Sequence, residues 1–327
     1  MASFDFIKND FEIINYLINQ NLTNLRAERL LMRNFKKEIQ QFDFAQKIGQ
    51  GSFGQVFLAR EIASGKKYAI KKKENLVISE EFDCKSNPYY EYLILRKYLN
   101  HENIVLFRNL LIDENFYYYI FEYCSNGDLR KYITKHIQTS PNTLIKSDLL
   151  WKWFRNLSDA VLFIHNNNLI HMDIKPSNIM LDEEFNLKLG DFDSANDVST
   201  NRIDKCVRSQ KLNPEESADA TYSPELIRGD EFSFEVDIWA VGTVFYELIY
   251  LESIDSIVQI VKSDSTWSGR DVLIKNKSFF NAYSNSSIHL RSICQHLLKN
   301  YKSMSAMQMK LNVCILWKNG FSFNNSY

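Results

Sequence analysis

The sequence predicts an α+β protein with a small β-rich N-terminal lobe followed by a larger, mostly helical C-terminal lobe. Two observations support this prediction. From Phe42 to Tyr123, apolar residues fall in short strand-like runs that are interrupted by glycine clusters. From about Ser147, apolar residues recur at i, i+3, i+4 and i+7, which is the spacing of a helix with one buried face. The 327 residues suffice for one large domain with two lobes or for two ordinary domains.

Composition and charge argue against several classes of protein. Hydrophobic residues make up 45% and charged residues 24%, as in soluble globular proteins. The net charge of -1 creates no field that favours nucleic acid or a membrane surface, so we expect neither as a partner. The five cysteines are odd in number and include no close pair, which disfavours a disulfide framework and a zinc site. We therefore expect reduced thiols in a nuclear or cytoplasmic protein.

No targeting or membrane segment is predicted. The N-terminus "MASFDFIKNDFEII" lacks the basic-then-apolar order of a signal peptide. The most apolar stretch, from Ile238 to Leu251, is too short to span a bilayer and contains Glu247. It predicts a buried helix.

The elements of the N-terminal half follow in order. Residues 1–41 predict a helical extension, which is either a docking or capping helix or a partly ordered segment. The next segment, "FAQKIGQGSFGQVFLAREIASGKKYAIKKK", predicts three strands separated by a Gly-rich turn and by a turn at "ASGKK". A helix is expected near 89–99, and two further strands near 104–111 and 117–123.

The C-terminal half reads as helices around one irregular region. The apolar stripe Leu150, Trp153, Phe154, Leu157, Val161 and Ile164 predicts a long buried helix with Ser147 as its N-cap. The short strands "IML" and "LKL" flank the turn "DEEFN". Residues 191–225 are expected to be irregular, and helices resume from Val236 to about Trp317.

A Gly-rich loop is the first candidate site. In "IGQGSFGQV", Gly49, Gly51 and Gly54 can let the backbone fold closely over phosphate oxygens and offer N–H donors to them. The pattern alone is also compatible with an ordinary hairpin or a dinucleotide-binding loop. A strand rather than a helix follows it, which favours a loop lying over a nucleotide.

A lysine downstream of that loop is the second candidate. Lys71 in "YAIKK" follows an apolar strand and is expected to face phosphate. Its ammonium needs a carboxylate, for which Glu91 in the predicted helix is favoured. Glu80, Glu81 and Asp83 remain alternatives.

The stretch "IHMDIKPSNIM" and the later "DF" carry the third set of candidates. They match H-x-D-x-K-x-x-N followed by D-F, with Asp173, Lys175, Asn178 and Asp191 at the polar positions. In phosphoryl transfer, Asp173 would accept the proton of an attacking hydroxyl and Lys175 would offset charge on the transferred group. Asn178 and Asp191 would hold Mg²⁺, which prefers oxygen ligands.

With these motifs, the chain resembles a eukaryotic protein kinase from about Phe42 to about Met309. "TYSPELI", "DIWAVG" and "FEYCSNGDL" resemble further segments of that family. The resemblance implies a bilobal fold, with residues 42–124 as N-lobe and 125–327 as C-lobe, in a catalytic domain of about 42–317. It also implies ATP and Mg²⁺ as cofactors, a protein substrate, and a monomeric chain.

The resemblance assigns further roles. Phe121 would be the gatekeeper, Glu122 and Cys124 would offer backbone groups to adenine, Asp128 would reach the ribose, and Asp237 would brace the catalytic loop. The implied ATP-binding residues are Ile48, Gly49, Gly51, Ser52, Gly54, Val56, Ala69, Lys71, Phe121, Glu122, Cys124 and Asp128.

A methionine stands where most kinases have an arginine. Met172 precedes Asp173, and its thioether has no charge with which to read a phosphate on the activation segment. The resemblance therefore implies activity that does not depend on that phosphate. "HMDIKPSNIM" and the "EYC" at the hinge are similar to the Wee/Myt branch, which phosphorylates a tyrosine of cyclin-dependent kinases. Myt-type relatives are membrane-tethered, but no segment here is expected to serve as an anchor.

Several positions depart from the family pattern. The usual D-F-G is "DFD", and we expect Asp193 to point to solvent. Ser303 stands where an arginine usually pairs with the glutamate of A-P-E, so Glu225 is expected to be partly solvated or held by another base. His171 is expected to be a structural hydrogen-bonding residue and His165 a helix-end residue.

Two other functions remain open at this point. The chain could be a serine/threonine kinase of another branch, since Lys175 normally accompanies serine/threonine specificity. It could also be a pseudokinase that acts as a nucleotide-binding scaffold, which Asp193 and Ser303 favour and the intact catalytic residues oppose.

Overall fold

The computed structural model describes residues 39–51, 54–74, 91–92, 94–96, 100–113, 115–141, 143–199, 221–223, 226 and 232–251. The chain divides into two compact units. The first, called the sheet unit here, takes its described residues from 39–74 and 107–123. The second, called the helical unit, takes them from 91–106 and 124–251. The predicted domain limits stay a prediction.

The sheet unit is built on five antiparallel strands in the order β1-β2-β3-β5-β4. A single turn of 3-10 helix, Ile39–Gln41, leads into the first strand. The predicted succession of strand, Gly-rich turn, strand, turn and strand is confirmed, as are the two later strands. The strands are β1 Phe42–Gly51, β2 Gly54–Glu61, β3 Lys67–Glu74, β4 Phe107–Ile112 and β5 Phe116–Glu122.

The strand register divides the side chains of this sheet between two faces, because successive residues of a strand point to opposite sides. One face carries a buried apolar cluster, formed by Phe42, Ala59, Ile70, Leu111, Tyr118 and Ile120. The other face carries Val56 opposite Lys71, Lys71 opposite Tyr119, and Ala69 opposite Phe121. Side chains that the sequence associates with ATP are thus placed together by pairing alone.

The helical unit contains three described α-helices, α1 Leu129–Thr139, α2 Ser147–Asn166 and α3 Glu235–Tyr250. The predicted apolar stripe of α2 is confirmed, since Trp153, Phe154 and Leu157 are almost fully buried. The prediction of Ser147 as N-cap is wrong. Lys146 occupies that position without a side-chain cap bond, and its carbonyl already accepts the backbone N–H groups of Leu149 and Leu150. The helix therefore begins at Ser147 itself.

Helix α3 is mostly apolar and is buried around its whole circumference from Val236 to Ile249, as the sequence predicts. Within the part of the chain that the structure describes, no helix is both long enough and apolar enough to cross a membrane.

Two small β-ribbons frame the polar stretch that follows α2. Strand β6 (Leu169–Ile170) pairs with β9 (Asn196–Asp197), and β7 (Ile179–Leu181) pairs with β8 (Leu187–Leu189). The predicted hairpin around "DEEFN" is confirmed. Its turn is fixed from outside by α2, because Trp153 Nε1 donates to the carbonyl of Phe185 at 3.0 Å.

Some predictions fall on residues that the structure does not describe. The extension 1–38, Ser52, the alternative carboxylates Glu80, Glu81 and Asp83, and the late positions Glu225 and Ser303 lie outside the described residues. Of the helix predicted near 89–99, residues 91–92 and 94–96 are described, and they are helical.

Candidate active site

The segment from His171 to Asn178, called the catalytic loop here, is held in place by one buried carboxylate. Asp237 in the first turn of α3 is fully buried. Its Oδ2 accepts the backbone N–H of His171 at 2.8 Å, and its Oδ1 accepts that of Met172 at 2.9 Å. The expectation that Asp237 braces this loop is confirmed.

Asp237 remains charged because donors surround it. Burial alone would raise its pKa, but the hydrogen bond and charge of His165, together with His171, hold the pKa below the ordinary value of an aspartate. His165 Nε2 lies 2.9 Å from Asp237 Oδ2. His165 lies in the last turn of α2, as expected, but its contact with a residue 72 positions away was not predicted.

His171 links the catalytic loop to the segment that carries Asp191. Its Nδ1 accepts the backbone N–H of Asp173 at 3.2 Å. The opposite nitrogen, Nε2, therefore carries the hydrogen and donates to the carbonyl of Gly190 at 3.0 Å. The imidazole is fully buried and packs against the Phe192 ring, 4.6 Å away. The prediction of a structural hydrogen-bonding histidine is confirmed.

The carboxylate of Asp173 is oriented by two neighbours from the same loop. Lys175 Nζ lies 2.9 Å from its Oδ1. Asn178 Nδ2 donates to its Oδ2 at 2.8 Å and to its backbone carbonyl at 2.9 Å. Asp173, Lys175 and Asn178, which were predicted from the motif, are thus connected by an ion pair and a hydrogen bond.

The electrostatic setting of Asp173 suits a proton acceptor. Burial raises the pKa of Asp173 and is the largest influence, while Lys175 and His171 lower it and the carboxylate of Asp191 raises it. The outcome is a pKa above the ordinary value of an aspartate. A carboxylate with a raised pKa binds a proton more readily, as a general base near neutral pH must.

Asp191 lies close enough to Asp173 to influence it, and its side chain is exposed. Its backbone has φ 59°, and Met172 before Asp173 has φ 66°. Left-handed conformations are uncommon for residues other than glycine and concentrate at functional sites. The carbonyl of Asn178 fixes this approach by accepting the N–H of Gly190 at 2.8 Å.

The donor set fits Mg²⁺. The described contacts of Asn178 use its amide nitrogen, so Oδ1 is the atom with which it could bind a cation. Asp191 offers an exposed carboxylate in the same region. Oxygen atoms of this kind are the ligands that Mg²⁺ prefers.

Asp193 departs from its expected placement. The prediction that it points to solvent is wrong for its Oδ2, which is buried, while the residue as a whole is half-buried. Its φ is not among the positive values of the described residues, so a left-handed conformation is not needed here. An aspartate therefore replaces the usual glycine at this position without backbone strain.

In the sheet unit, the predicted phosphate-side residues lie on β1 to β3. Lys71 is 9% exposed and stands between Val56 and Tyr119. Gly54 has φ 151°, and a Cβ there would lie 2.4 Å from the carbonyl oxygen of Lys72, so no larger residue fits. Ile48 and Gly49 are half-buried on β1, and Gly51 at its end is exposed.

The residues predicted to contact adenine and ribose follow along the chain. Phe121 and Glu122 end β5, Cys124 is buried, and Glu91 is helical and 5% exposed. Asp128 has a capping role that we did not predict. Its Oδ1 accepts the N–H of Lys131 at 2.8 Å as N-cap of α1, although an Asp directly before Leu-Arg-Lys is a recognisable cap signal.

The sheet unit has five strands, a Gly-rich turn and a buried lysine, and the helical unit has a catalytic loop with Asp, Lys and Asn. These features together define a protein of the protein kinase class. The sequence agrees, because residues 42–309 match the Protein kinase domain family. The chain belongs to this family, and the predicted bilobal α+β kinase fold is confirmed.

Several curated relatives are serine/threonine kinases by name. Serine/threonine-protein kinase PKH2 of Saccharomyces cerevisiae is 33% identical over 65% of this chain and 20% of its own length. Serine/threonine-protein kinase ppk16 of Schizosaccharomyces pombe is 29% identical over 62% of this chain and 27% of its own. The probable serine/threonine-protein kinase KIN1 homolog of Encephalitozoon cuniculi is 31% identical over 65% of this chain and 36% of its own. The chain thus spans only a minor part of each relative.

Proposed function

We propose that this chain is an ATP-dependent protein kinase that transfers the γ-phosphoryl group to a serine or threonine hydroxyl of a protein substrate. The observation that carries the proposal is the oriented carboxylate of Asp173, held by Lys175 at 2.9 Å and by Asn178 at 2.8 Å. The names of the relatives support the choice of acceptor.

In this function Asp173 orients the acceptor hydroxyl and takes its proton, for which its raised pKa is suited. Lys175 offsets the negative charge that develops on the transferred group. Asn178 and Asp191 would hold Mg²⁺, which would neutralise charge on the phosphates of bound ATP. Lys71 would contact those phosphates from the face of the sheet that also carries Val56 and Ala69.

The test is transfer from labelled ATP to a generic protein substrate in the presence of Mg²⁺, comparing the parent with Asp173→Asn. We expect the substitution to lower the rate by about 10²- to 10⁴-fold, the usual contribution of a positioned base. Asp148→Asn is the matched control, because Asp148 is exposed in the first turn of α2. Equal background transfer by the parent and Asp173→Asn would instead favour a nucleotide-binding scaffold.

We further propose that activity does not require a phosphate on the activation segment. The support is the environment of Met172, which packs against an apolar cluster built on Ile170, Leu226 and Val236. An apolar side chain in this setting offers no charge to a phosphate. Treatment of the purified protein with a phosphatase should leave its transfer rate unchanged, and a large loss of rate would contradict this part of the proposal.

A Wee-type kinase, which acts on a tyrosine of cyclin-dependent kinases, is the second candidate. It is favoured by Met172 in "HMDIKPSNIM" and by the "EYC" segment. Phospho-amino-acid analysis of a phosphorylated cyclin-dependent kinase separates the candidates. Phosphotyrosine would establish the Wee-type assignment, whereas phosphate on serine or threonine alone would reject it.

A further inference from the structure

The face of the sheet opposite Lys71 presents an array of aromatic rings, called the aromatic face here and formed by Phe44, Phe57, Phe116 and Tyr118. The ring centroid of Phe44 lies 5.6 Å from that of Phe57 and 6.2 Å from that of Tyr118. The ring centroids of Phe116 and Tyr118 are also 6.2 Å apart. Phe44 is 36% exposed, and Phe57 and Phe116 are half-buried. Tyr118 is buried at 7% exposure and packs among the three partly exposed rings. A group of exposed apolar rings usually marks a contact surface.

Two lysines stand among these rings. Lys72 Nζ lies 3.5 Å from the centroid of Phe116 and 5.8 Å from that of Tyr118. Lys47 is exposed and pairs in register with Phe57.

Carboxylates occur on this face only toward its ends, within the described strands. Asp113 is engaged locally, since it accepts the hydroxyl of Tyr118 at 2.7 Å and the N–H of Phe116 at 2.8 Å. Glu74 is paired with Phe116 at one end of β3, and Glu61 with Phe42 at one end of β2. Glu122 is paired with Tyr68 at the end of β5. The centre of the face is therefore aromatic and basic, which suits a segment that combines apolar rings with carboxylates.

The sequence of the chain contains such a segment before Ile39. Ile39, at the start of the described part, packs against the buried cluster on this face of the sheet, so the described chain begins on this side. In residues 4–14, "FDFIKNDFEII", three phenylalanines are interleaved with Asp5, Asp10 and Glu12. The connection from residue 14 to Ile39 is about 25 residues, which spans roughly 40 Å even if helical and more if extended. The connection is therefore long enough for residues 4–14 to reach the aromatic face.

We propose that residues 4–14 dock on the aromatic face of the same chain, with their phenylalanines against Phe44 and Phe57 and their carboxylates beside Lys47 and Lys72. Bound there, the segment backs the sheet whose other face carries Val56, Ala69 and Lys71. Docking of this kind assigns a structural role to the N-terminal extension that is independent of the proposed catalytic function.

Zero-length cross-linking of the full chain tests the proposal. A carbodiimide joins a carboxylate to an amine only when the two are in contact, and peptide mass spectrometry identifies the joined residues. We expect links from Asp5, Asp10 or Glu12 to Lys47 or Lys72. An equal mixture of labelled and unlabelled chains shows whether the links form within one chain. Links that join two chains would overturn intramolecular docking in favour of a second copy as occupant.

Matched variants make the test specific. Phe44→Ser should reduce those links by about fivefold, since one exposed apolar contact is lost. Ile62→Ser should leave them unchanged, because Ile62 is 66% exposed in the turn after β2 and lies off the aromatic face. Phe6→Ser tests the other partner without altering the sheet, and should have an effect like that of Phe44→Ser. Links that persist in both phenylalanine variants, or that form equally with Lys131 and Lys135 of the helical unit, would refute the proposal.

Discussion

In the sheet unit, Val56, Lys71 and Tyr119 share a face because they stand directly opposite one another on three neighbouring strands. In the helical unit, by contrast, the backbone of His171 and Met172 is held by the two oxygens of a single side chain, Asp237. The first arrangement is set by many ladder hydrogen bonds, and the second by one buried charge. Both deliver functional side chains to fixed positions.

The two arrangements should respond differently to the loss of a single side chain. A ladder distributes its stabilisation, so most side chains on it can change without moving their neighbours, and only positions of special backbone geometry are critical. A buried charge concentrates its stabilisation, because removing it leaves several donors without acceptors at once. The substitutions below test this contrast, in order of decreasing expected effect.

The largest effect is expected for Asp237→Ala. It removes the acceptors of two backbone N–H groups and the partner of His165, all of them in the interior. Each buried donor left unsatisfied costs about 1–3 kcal/mol, so the free energy of unfolding should fall by about 3 kcal/mol or more. Urea denaturation followed by circular dichroism measures this. Asp148→Ala, at an exposed position in the preceding helix α2, should change stability by no more than about 0.5 kcal/mol.

In the sheet unit, we expect Gly54→Ala to lower the free energy of unfolding more than the addition of a methyl group at Gly51 does. A Cβ at Gly54 would lie 2.4 Å from the carbonyl oxygen of Lys72, in a conformation that L-residues rarely adopt. We expect a loss of about 2 kcal/mol, from strain and displacement of β3. Gly51→Ala is the control, since no atom lies within 4 Å of its Cβ position. Similar losses for both variants would show that the turn tolerates no side chain at all, and would remove the special status of Gly54.

An intermediate effect is expected for the ion pair that joins α1 to α3. Arg130 contacts Glu247 through both terminal nitrogens, at 2.7 and 3.1 Å, and the Glu247 side chain is only 3% exposed. Because the Arg130 side chain is 41% exposed and partly screened, Arg130→Ala should cost about 1–2 kcal/mol rather than the larger cost of a fully buried pair.

Lys131→Ala is the matched control for this pair. Lys131 also contacts a carboxylate, that of Asp128, but its side chain is 66% exposed. Exposed pairs contribute little, so its effect on unfolding should not exceed about 0.5 kcal/mol. Thermal denaturation of both variants under one set of conditions gives the comparison, and equal losses would contradict the importance assigned to burial.

The smallest change is a shift in pH dependence. The charge of Lys175 lowers the pKa of Asp173, against the larger raising effect of burial. Lys175→Met should therefore raise that pKa further, and the acid limb of the kcat profile should move to higher pH. Lys152→Met is the control, because Lys152 donates to the carbonyl of Glu184 away from the catalytic loop. An acid limb that stays in place in Lys175→Met would show that another group controls it.

Most of the fold was predictable because its signals are local. Glycine clusters and apolar periodicity identified the five strands, α2 and α3, and the motif spacing identified Asp173, Lys175 and Asn178. Helix boundaries were less certain: Ser147 has the chemistry of an N-cap, yet Lys146 takes that position. One residue of shift is within the range that neighbouring packing can impose.

Contacts between distant segments were not predictable. Arg130 contacts Glu247, which lies 117 residues further along the chain, and His165 contacts Asp237, which lies 72 residues further along. The burial of Asp193 Oδ2 likewise depends on how several segments pack around it. No local pattern distinguishes such residues from charged side chains on a solvated surface, because only the folded chain decides which of them lose water.

The dependence of the catalytic loop on Asp237 also has a consequence for biosynthesis. Met172 and its anchor are 65 residues apart in the chain. At ribosomal rates of about 5–20 residues per second, the loop emerges several seconds before the side chain that fixes it. A nascent chain or a truncated product that ends before α3 carries every residue of the motif but lacks the carboxylate that accepts the backbone N–H groups of His171 and Met172. The backbone of His171 and Met172 therefore gains its buried acceptor only after the first turn of α3 has been synthesised.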